Sequence, residues 1–338
     1  MKYFVTGATG FVGGRVARQL RAAGHEVVAV VRAPEKAGDL AALGIALHQG
    51  DVTEKESMRA PMTGVDGVFH IAGWYKIGIR TASERRAGER INVEGTRNVL
   101  ELMRELGIHK GVYTSTVAIF SDTHGKLVDE SYVFTGEPLS EYDRTKWVAH
   151  YEVAEPMIAQ GLPLVIVQPG VIYGPGDTSS LRIALIDYLQ HKLPILPKRT
   201  EYCWAHVDDV AHGHLLAMEQ GRAGQSYIIA GERRTFVDAL ALAERVTGVR
   251  TSRILAPPGM MKASAALMSV VEKLVPVPAM YTSEYLRINA GVTYLGDNAK
   301  ARRELGYDPR PLDEGLPPTL LHEMALLGMT PKPQTLQP

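Results

Sequence analysis

The feature that most constrains this chain is a glycine-rich turn near its N-terminus. Residues 7–13 read G-A-T-G-F-V-G; they follow a short apolar run, Tyr3–Thr6, and precede a stretch with helical spacing, Val12–Ala23. Glycine adopts backbone angles closed to other residues and lets a phosphate approach the bare N–H groups at a helix N-terminus. Because a strand precedes the turn and a helix follows it, we predict a dinucleotide-binding turn rather than a plain structural one.

Short apolar runs and longer stretches with helical spacing alternate through the first half of the chain. Besides Tyr3–Thr6, the strand-like runs are Glu26–Val31, Ile45–Gln49, Gly67–Ile71, Gly111–Ser115 and Leu164–Gln168. Strands that alternate with helices favour a parallel sheet covered by helices on both faces. The chain is therefore predicted to form an α/β fold with a Rossmann-type, doubly wound parallel sheet.

After Gly170 the alternation weakens, and from Thr235 the chain is mainly helical. We expect residues 1–170 plus about 205–230, which include a strand-like run at Gln225–Ile229, to form the nucleotide-binding domain. Residues 171–204 plus about 231–328 are expected to form a smaller, mainly helical substrate-binding lobe, and 329–338 a frayed tail. The apolar stretch Met260–Leu274 is expected to be a buried helix of that lobe; the alternative is a helix that touches a membrane.

Composition narrows the function classes. The 338 residues include 37 Lys plus Arg and 37 Asp plus Glu, so charge alone would not hold the chain on nucleic acid or an anionic membrane. A single cysteine, Cys203, excludes an internal disulfide, and no metal site is expected at the clustered His206, His212 and His214. The apolar runs are shorter than the ~18 residues of a membrane span, and the N-terminus lacks signal-peptide features. We expect a soluble cytoplasmic protein without a nucleic-acid partner or stable membrane insertion.

A second motif, Tyr142-Asp143-Arg144-Thr145-Lys146, begins a stretch with helical spacing that ends at Gln160. Positions i and i+4 share a helix face, so the phenol and the ammonium project into the same space. A free tyrosine titrates near pH ~10, and a neighbouring cation together with an oxidised nicotinamide would lower that pKa toward neutrality. The motif alone occurs by chance on many surface helices. Downstream of the glycine turn, it predicts that Tyr142 is a general acid/base.

Arg32, which ends the second predicted strand, bears on the choice of cofactor. Enzymes that select NAD usually place Asp or Glu there, because a carboxylate accepts hydrogen bonds from the adenosine ribose. An arginine instead suits a 2′-phosphate, and Lys36 could reinforce that contact. The alternative is that Arg32 only stacks on the adenine. We therefore expect a preference for NADP(H), with NAD(H) as the alternative cofactor.

These motifs resemble those of the short-chain dehydrogenase/reductase superfamily. The run T-G-A-T-G-F-V-G at 6–13 is similar to its extended subfamily, the NAD-dependent epimerase/dehydratase family. The same holds for Asn92–Asn98, for the strand end Tyr113–Thr116 and for the run P-G-V-I-Y-G-P-G-D at 169–177. Within the subfamily, the chain most resembles dihydroflavonol-4-reductase-like proteins and the hopanoid-associated sugar epimerase-like group.

The resemblance implies a set of site residues. The catalytic ones would be Thr116, with Ser115 as the alternative hydroxyl, Tyr142 and Lys146. Asn92 would either support the helix that faces the active site or be purely structural. The implied cofactor contacts are Gly7, Thr9, Gly10, Phe11, Val12, Arg32, Lys36, Asp51, Val52, Ile71, Ala72, Gly73, Tyr142, Lys146, Pro169, Gly170, Val171 and Ile172.

The implied reaction is hydride transfer between the nicotinamide and a carbonyl or alcohol carbon of a small molecule. Three functions stay open: an NADP(H)-dependent reductase or dehydrogenase, a nucleotide-sugar epimerase with bound cofactor, and a cofactor sensor without chemistry. A sugar dehydratase is disfavoured, because Val117 and Ala118 stand where such enzymes carry an acidic pair. The resemblance also implies a homodimer that packs through the helices expected at Ile91–Leu106 and Tyr142–Gln160.

Overall fold

The computed structural model describes residues 1–330 and is built around one large sheet. Its strands are β1 (Lys2–Thr6), β2 (Glu26–Val31), β3 (Ala46–Gln49), β4 (Gly67–His70), β5 (Gly111–Thr114), β6 (Leu164–Pro169) and β10 (Ser226–Ile229). All seven are parallel, in the order β10–β6–β5–β4–β1–β2–β3. β6 is buried at every position, as a strand covered on both faces must be. The predicted doubly wound α/β fold is confirmed.

Helices cover both faces of this sheet and extend into the second lobe. They are α1 (Phe11–Ala22), α2 (Gly38–Ala41), α3 (Lys55–Met62), α4 (Ala82–Gly88), α5 (Gly95–Glu105), α6 (Glu141–Val148), α7 (Glu155–Ala159), α8 (Ser180–Leu189), α9 (Val207–Glu219), α10 (Phe236–Thr247), α11 (Pro258–Leu274), α12 (Ser283–Ile288), α13 (Ala299–Leu305) and α14 (Leu312–Leu326). One buried apolar layer joins the sheet to α1, α9 and α13, and a second joins it to α3, α5 and α7.

Two π-helical turns interrupt the helices that the sequence predicted next to the site. The first, Glu89–Glu94, joins α4 to α5, and the second, Ala149–Ala154, joins α6 to α7. A π turn changes which side chains face the core, and such turns are frequent at functional sites. Here they hold Asn92 and His150, both buried.

The second lobe contains two smaller sheets. Its strands are β7 (Val171–Tyr173), β8 (Leu196–Pro197), β9 (Glu201–His206), β11 (Glu232–Thr235), β12 (Leu255–Ala256) and β13 (Thr293–Tyr294). β9 pairs in parallel with β7 and β13 and antiparallel with β11, whereas β8 pairs with β12. The division at residue 170 and the two-part domain boundaries stay predictions. Residues 331–338 of the expected tail lie outside the described residues.

The predicted burial of Met260–Leu274 is wrong. The stretch forms α11, but Ala265 is its only buried residue, whereas Leu267 is 65% and Leu274 79% exposed. The physical reason is that α11 packs against the short helix α12 along a narrow face. Met261, Met268 and Val271 are half-buried, and the apolar side chains that face outward have no core to enter.

Candidate active site

A cleft of about 990 Å³ opens beyond the carboxyl ends of the parallel strands. The segments that follow β1 and β4 both line it, and the strand order reverses direction between these two strands. In doubly wound sheets this reversal leaves a crevice, because the connections leave the two strands on opposite sides. Segments from both lobes line the cleft, so the fold brings the predicted cofactor turn and the expected substrate lobe around one space.

The glycine turn has the tight backbone that its sequence predicted. Gly7 has a φ of +73°, and a Cβ there would lie 2.8 Å from the backbone nitrogen of Ala72. A Cβ on Gly13 would lie 2.1 Å from the carbonyl oxygen of Gly7. Gly10 caps α1 with no side-chain hydrogen bond, and the first turn of α1 carries no acid. The free N–H groups of this helix end therefore fit the pyrophosphate of a dinucleotide.

A buried hydrogen-bond network, which the sequence analysis missed, holds the turn against the next loop. The hydroxyl of Thr6 accepts from the backbone N–H groups of Ile71 and Ala72, both at 3.1 Å, and lies 2.8 Å from Nδ1 of His70. Burial lowers the pKa of His70 to about 3, so its ring is neutral. With Thr6 donating to Nδ1, the ring proton resides on Nε2, 3.0 Å from the hydroxyl of Thr96.

The expected cofactor contacts come together around this cleft, with one exception. Lys36 is exposed and does not line it. Arg32 does line the cleft, is exposed, and has no hydrogen bond or ion pair within residues 1–330. The other contacts that line it are Gly7, Thr9, Gly10, Phe11, Val12, Asp51, Val52, Ile71, Ala72, Gly73, Tyr142, Lys146, Pro169, Gly170, Val171 and Ile172.

The two candidate hydroxyls have different partners. Thr116 lies near Tyr142, where its hydroxyl lowers the pKa of the phenol against the raising effect of burial, and it accepts from the N–H group of Ala118 at 3.1 Å. Ser115 instead pairs with Nδ1 of His150 at 2.8 Å, and both residues are buried. The geometry therefore places Thr116 beside Tyr142. It gives Ser115 a structural partner on the π-helical turn that follows α6, the helix that carries Tyr142 and Lys146 (the catalytic helix).

The electrostatics of Tyr142 and Lys146 differ from the expectation. Burial raises the pKa of Tyr142, and the neighbouring Tyr75 adds to the increase. Burial also lowers the pKa of Lys146 to about 7. Lys146 Nζ donates to the carbonyl oxygen of Thr114 at 2.6 Å and to Tyr113 Oη at 3.3 Å. The protein's own residues thus raise the pKa of Tyr142, opposite to the lowering expected from Lys146.

Asn92 connects the loop after β4 to the catalytic helix. Its side-chain oxygen accepts from the N–H group of Trp74 at 2.7 Å, and its amide donates to the carbonyl of Trp74 and to the hydroxyl of Thr145, both at 2.9 Å. This places the ring of Tyr75 edge-on to that of Tyr142, with centroids 4.8 Å apart. The signal for Asn92 was visible in the sequence, whereas nothing there singled out Tyr75.

Two carboxylates that sequence reasoning missed also shape the site. Asp143 lines the cleft and accepts from Tyr294 Oη at 3.1 Å, and burial raises its pKa to about 7. Glu284, on α12, accepts from the N–H groups of Gly78 and Ile79 at 2.7 and 2.9 Å and from that of Glu141 at 2.8 Å. It therefore fixes the loop after β4 to the start of the catalytic helix, across a long sequence separation that no local pattern reveals.

Two of the three clustered histidines have partners within the protein, and the third, His212, is exposed. His206 accepts from the N–H group of Asp208 at the start of α9, and His214 bonds to Thr114 and to the carbonyl of Val210. Within residues 1–330, no group of three or more His, Cys, Asp or Glu side chains is arranged to hold a metal ion.

The protein combines a doubly wound sheet, a glycine turn at its crevice and a Tyr-x-x-x-Lys helix beside that crevice. This combination defines the class of Rossmann-fold short-chain dehydrogenase/reductase enzymes. The chain belongs to the NAD dependent epimerase/dehydratase family, whose model matches residues 3–230. The family predicted from the motifs is therefore confirmed.

Relatives and solved structures agree with this assignment. Sterol demethylase protein B of Methylococcus capsulatus is 30% identical, over 91% of this chain and 94% of that protein. A 4-hydroxy-2-methyl-3-oxo-4-farnesyl-3,4-dihydroquinoline-1-oxide ketoreductase of Stigmatella aurantiaca is 34% identical, over 92% of each chain. The crystal structure of gox2253 superposes with a TM-score of 0.83 at 29% identity, over 97% of this chain and 99% of that one.

Proposed function

We propose that this protein is an NADP(H)-dependent oxidoreductase that interconverts a carbonyl compound and its alcohol. The observation that carries the proposal is that Thr116, Tyr142 and Lys146 all line the cleft, with Tyr142 and Lys146 one turn apart on the same helix. In the reductive direction a hydride adds to the carbonyl carbon and a proton adds to its oxygen. The ketone or aldehyde becomes an alcohol, the two electrons would come from the bound cofactor, and the proton is finally replaced from solvent.

The bound cofactor supplies the hydride from its nicotinamide ring. Thr116 holds the substrate oxygen through its hydroxyl, and the phenol of Tyr142 gives that oxygen its proton. A raised pKa keeps Tyr142 protonated at neutral pH, which suits a proton donor to an alkoxide-like oxygen. Lys146 would donate to the nicotinamide ribose of a bound cofactor, as the family resemblance implies, and it shares a helix with the proton donor.

Arg32 supports NADP(H) over NAD(H). It lies at the end of β2, lines the cleft and has its guanidinium unpaired within the described part of the chain. A guanidinium matches a phosphate with two parallel hydrogen bonds, whereas the unmodified ribose of NAD(H) needs an acceptor at this position. Because Lys36 lies away from the cleft, Arg32 carries this preference alone.

A nucleotide-sugar epimerase is the second candidate, because members of the family include such enzymes. A sugar nucleotide brings a second pyrophosphate, which needs cationic or N–H donors of its own. Apart from Arg32 and Lys146, Lys192 is the single cationic side chain among the described residues that line the cleft. Apolar side chains dominate the rest of the second-lobe lining, including Met261, Met268 and Tyr285. This lining favours an apolar carbonyl substrate.

The test is turnover against a panel that contains alkyl and cyclic ketones, aldehydes and UDP-glucose. We expect NADPH oxidation with ketones or aldehydes and no epimerised sugar nucleotide. Epimerised UDP-glucose without net cofactor consumption would establish the second candidate instead. Tight cofactor binding without any turnover would indicate a sensor, the third function. The homodimer stays a prediction, and light scattering of the purified protein decides it.

A further inference from the structure

The outward face of α11 is apolar, although it faces solvent. Its exposed positions Met260, Ala263, Leu267, Val270 and Leu274 follow a spacing of three or four residues and so form one stripe along the helix. Met260 is 48% exposed, Leu267 65% and Val270 58%. A stripe of this size on the outside of a helix normally marks an interaction surface.

The opposite face of α11 is fixed to the protein, so the stripe cannot turn inward. Ala265 is buried there. On the same side, the carboxylate of Glu272 accepts from the N–H group of Ser283 at 2.9 Å and from its hydroxyl at 2.6 Å. These bonds connect α11 to α12, which in turn holds the catalytic helix through Glu284.

The stripe is continuous with the mouth of the active-site cleft. Met260 and Leu267 belong to the stripe and also line the cleft. Ile195 and Tyr281, which lie outside α11 and are 48% and 51% exposed, also line the cleft. An apolar molecule would therefore pass from a surface covering α11 into the cleft without crossing a polar rim at these residues.

Basic side chains accompany the stripe. Lys262 and Lys273 lie on the flank of α11, are exposed, and form no ion pair within residues 1–330. Residues 250–290 contain five basic residues and two acidic ones, whereas the whole chain is balanced. Of the five bases, Arg253 forms an ion pair with Glu244 at 3.1 Å. Both acids are engaged: Glu272 with Ser283, and Glu284, which is buried, with backbone N–H groups. The outward charge beside the stripe is positive, which complements an anionic lipid surface.

We propose that the stripe of α11 docks on an anionic lipid bilayer and that the cleft takes an apolar ketone or alcohol directly from it. The helix has 17 residues, and none in the described part of the chain is long and apolar enough to cross a membrane, so α11 lies in the plane of the interface. The docking on a bilayer (the bilayer half of the proposal) is argued from α11 and does not depend on the proposed function. The substrate half rests on the proposed function.

Vesicle binding tests the bilayer half without any turnover. The protein is centrifuged with vesicles of phosphatidylcholine alone and with vesicles that mix it equally with phosphatidylglycerol. We compare wild type with Val270→Glu/Leu274→Glu, whose positions are exposed and do not line the cleft. The control is Leu321→Glu/Leu326→Glu on α14, at leucines 42% and 61% exposed.

We expect wild type and control to bind the mixed vesicles more tightly than the neutral ones. In wild type, Val270 and Leu274 would be buried in the bilayer on docking. The α11 variant loses this burial and should therefore bind the mixed vesicles about a hundredfold more weakly. Equal binding by wild type and the α11 variant, or no binding by either, overturns the proposal. A lipid-free change of oligomeric state in the α11 variant also overturns it, because the stripe would then be a subunit interface.

Turnover tests the substrate half. Two ketones are compared: methyl tridecyl ketone, dissolved in the mixed vesicles, and water-soluble butanone. The α11 variant should lose at least tenfold in rate with the first and keep its rate with the second. Equal losses with both ketones would refute delivery from the bilayer. If wild type turns over neither ketone, the proposed function fails, while the sedimentation result still decides the bilayer docking.

Discussion

Lys146 offers a quantitative test of the site, because its ammonium is buried without a carboxylate partner in the described residues. Burial lowers the pKa of Lys146 from 10.5 to about 7. At a pH where the side chain is charged in both the folded and the unfolded chain, that difference lowers the free energy of unfolding by about 5 kcal/mol. Replacement by methionine keeps most of the side-chain volume and removes the titrating group.

The sign of the pH dependence follows from the lowered pKa. Between about pH 7 and pH 10.5 the unfolded chain binds more protons at this position than the folded one, so stability rises with pH in that window. Below about pH 7 the whole cost is present, and above pH 10.5 it disappears. Relative to Lys146→Met, wild type should therefore gain about 3 kcal/mol of unfolding free energy between about pH 6.5 and about pH 9.5.

The assay is urea unfolding of cofactor-stripped protein across this pH range. The difference between the two proteins cancels groups that titrate in both. Lys146→Met also leaves the carbonyl of Thr114 without its donor, a pH-independent cost of about 1–3 kcal/mol, so the slope is diagnostic rather than the offset. Lys262→Met, at an exposed position, is the control and should give a flat difference. A flat difference for Lys146→Met would falsify the buried, pKa-lowered lysine.

Three further substitutions test the proposed chemistry. Tyr142→Phe should retain the cofactor dissociation constant and lose ~10²–10⁴ in turnover, because one proton donor is removed. The control Tyr151→Phe, on the same helical stretch, should remain active. Wild-type turnover in Tyr142→Phe would contradict the assignment. Arg32→Ala should weaken NADPH by about 10–100-fold and leave NADH nearly unchanged, measured at one salt concentration; parallel losses would indicate stacking on adenine instead. Thr116→Val should reduce turnover strongly, whereas Ser115→Ala should mainly lower the midpoint of urea unfolding; the reverse pattern would make Ser115 the catalytic hydroxyl.

The strands, the glycine turn and the Tyr-x-x-x-Lys helix of the nucleotide-binding half could be predicted from the sequence alone. The glycine turn and the alternation of strands and helices act over a few residues, because backbone angles and side-chain periodicity are local properties. The predicted strand Glu26–Val31 matches β2, and the other predicted strands of the large sheet differ by one residue at an end. The i, i+4 spacing of Tyr142 and Lys146 likewise placed both on one helix, at the cleft.

The tertiary structure decided what depends on distant partners. The proposal of Thr116 rather than Ser115 as the catalytic hydroxyl depends on His150, which is hydrogen-bonded to the serine, and the lowered pKa of Lys146 follows from its burial. Glu284 meets Gly78 across 206 residues of sequence, a pairing that no local pattern encodes. The outward stripe of α11 has the same origin: the sequence of this helix is apolar on several faces, and only the packing against α12 decides which of them the protein covers.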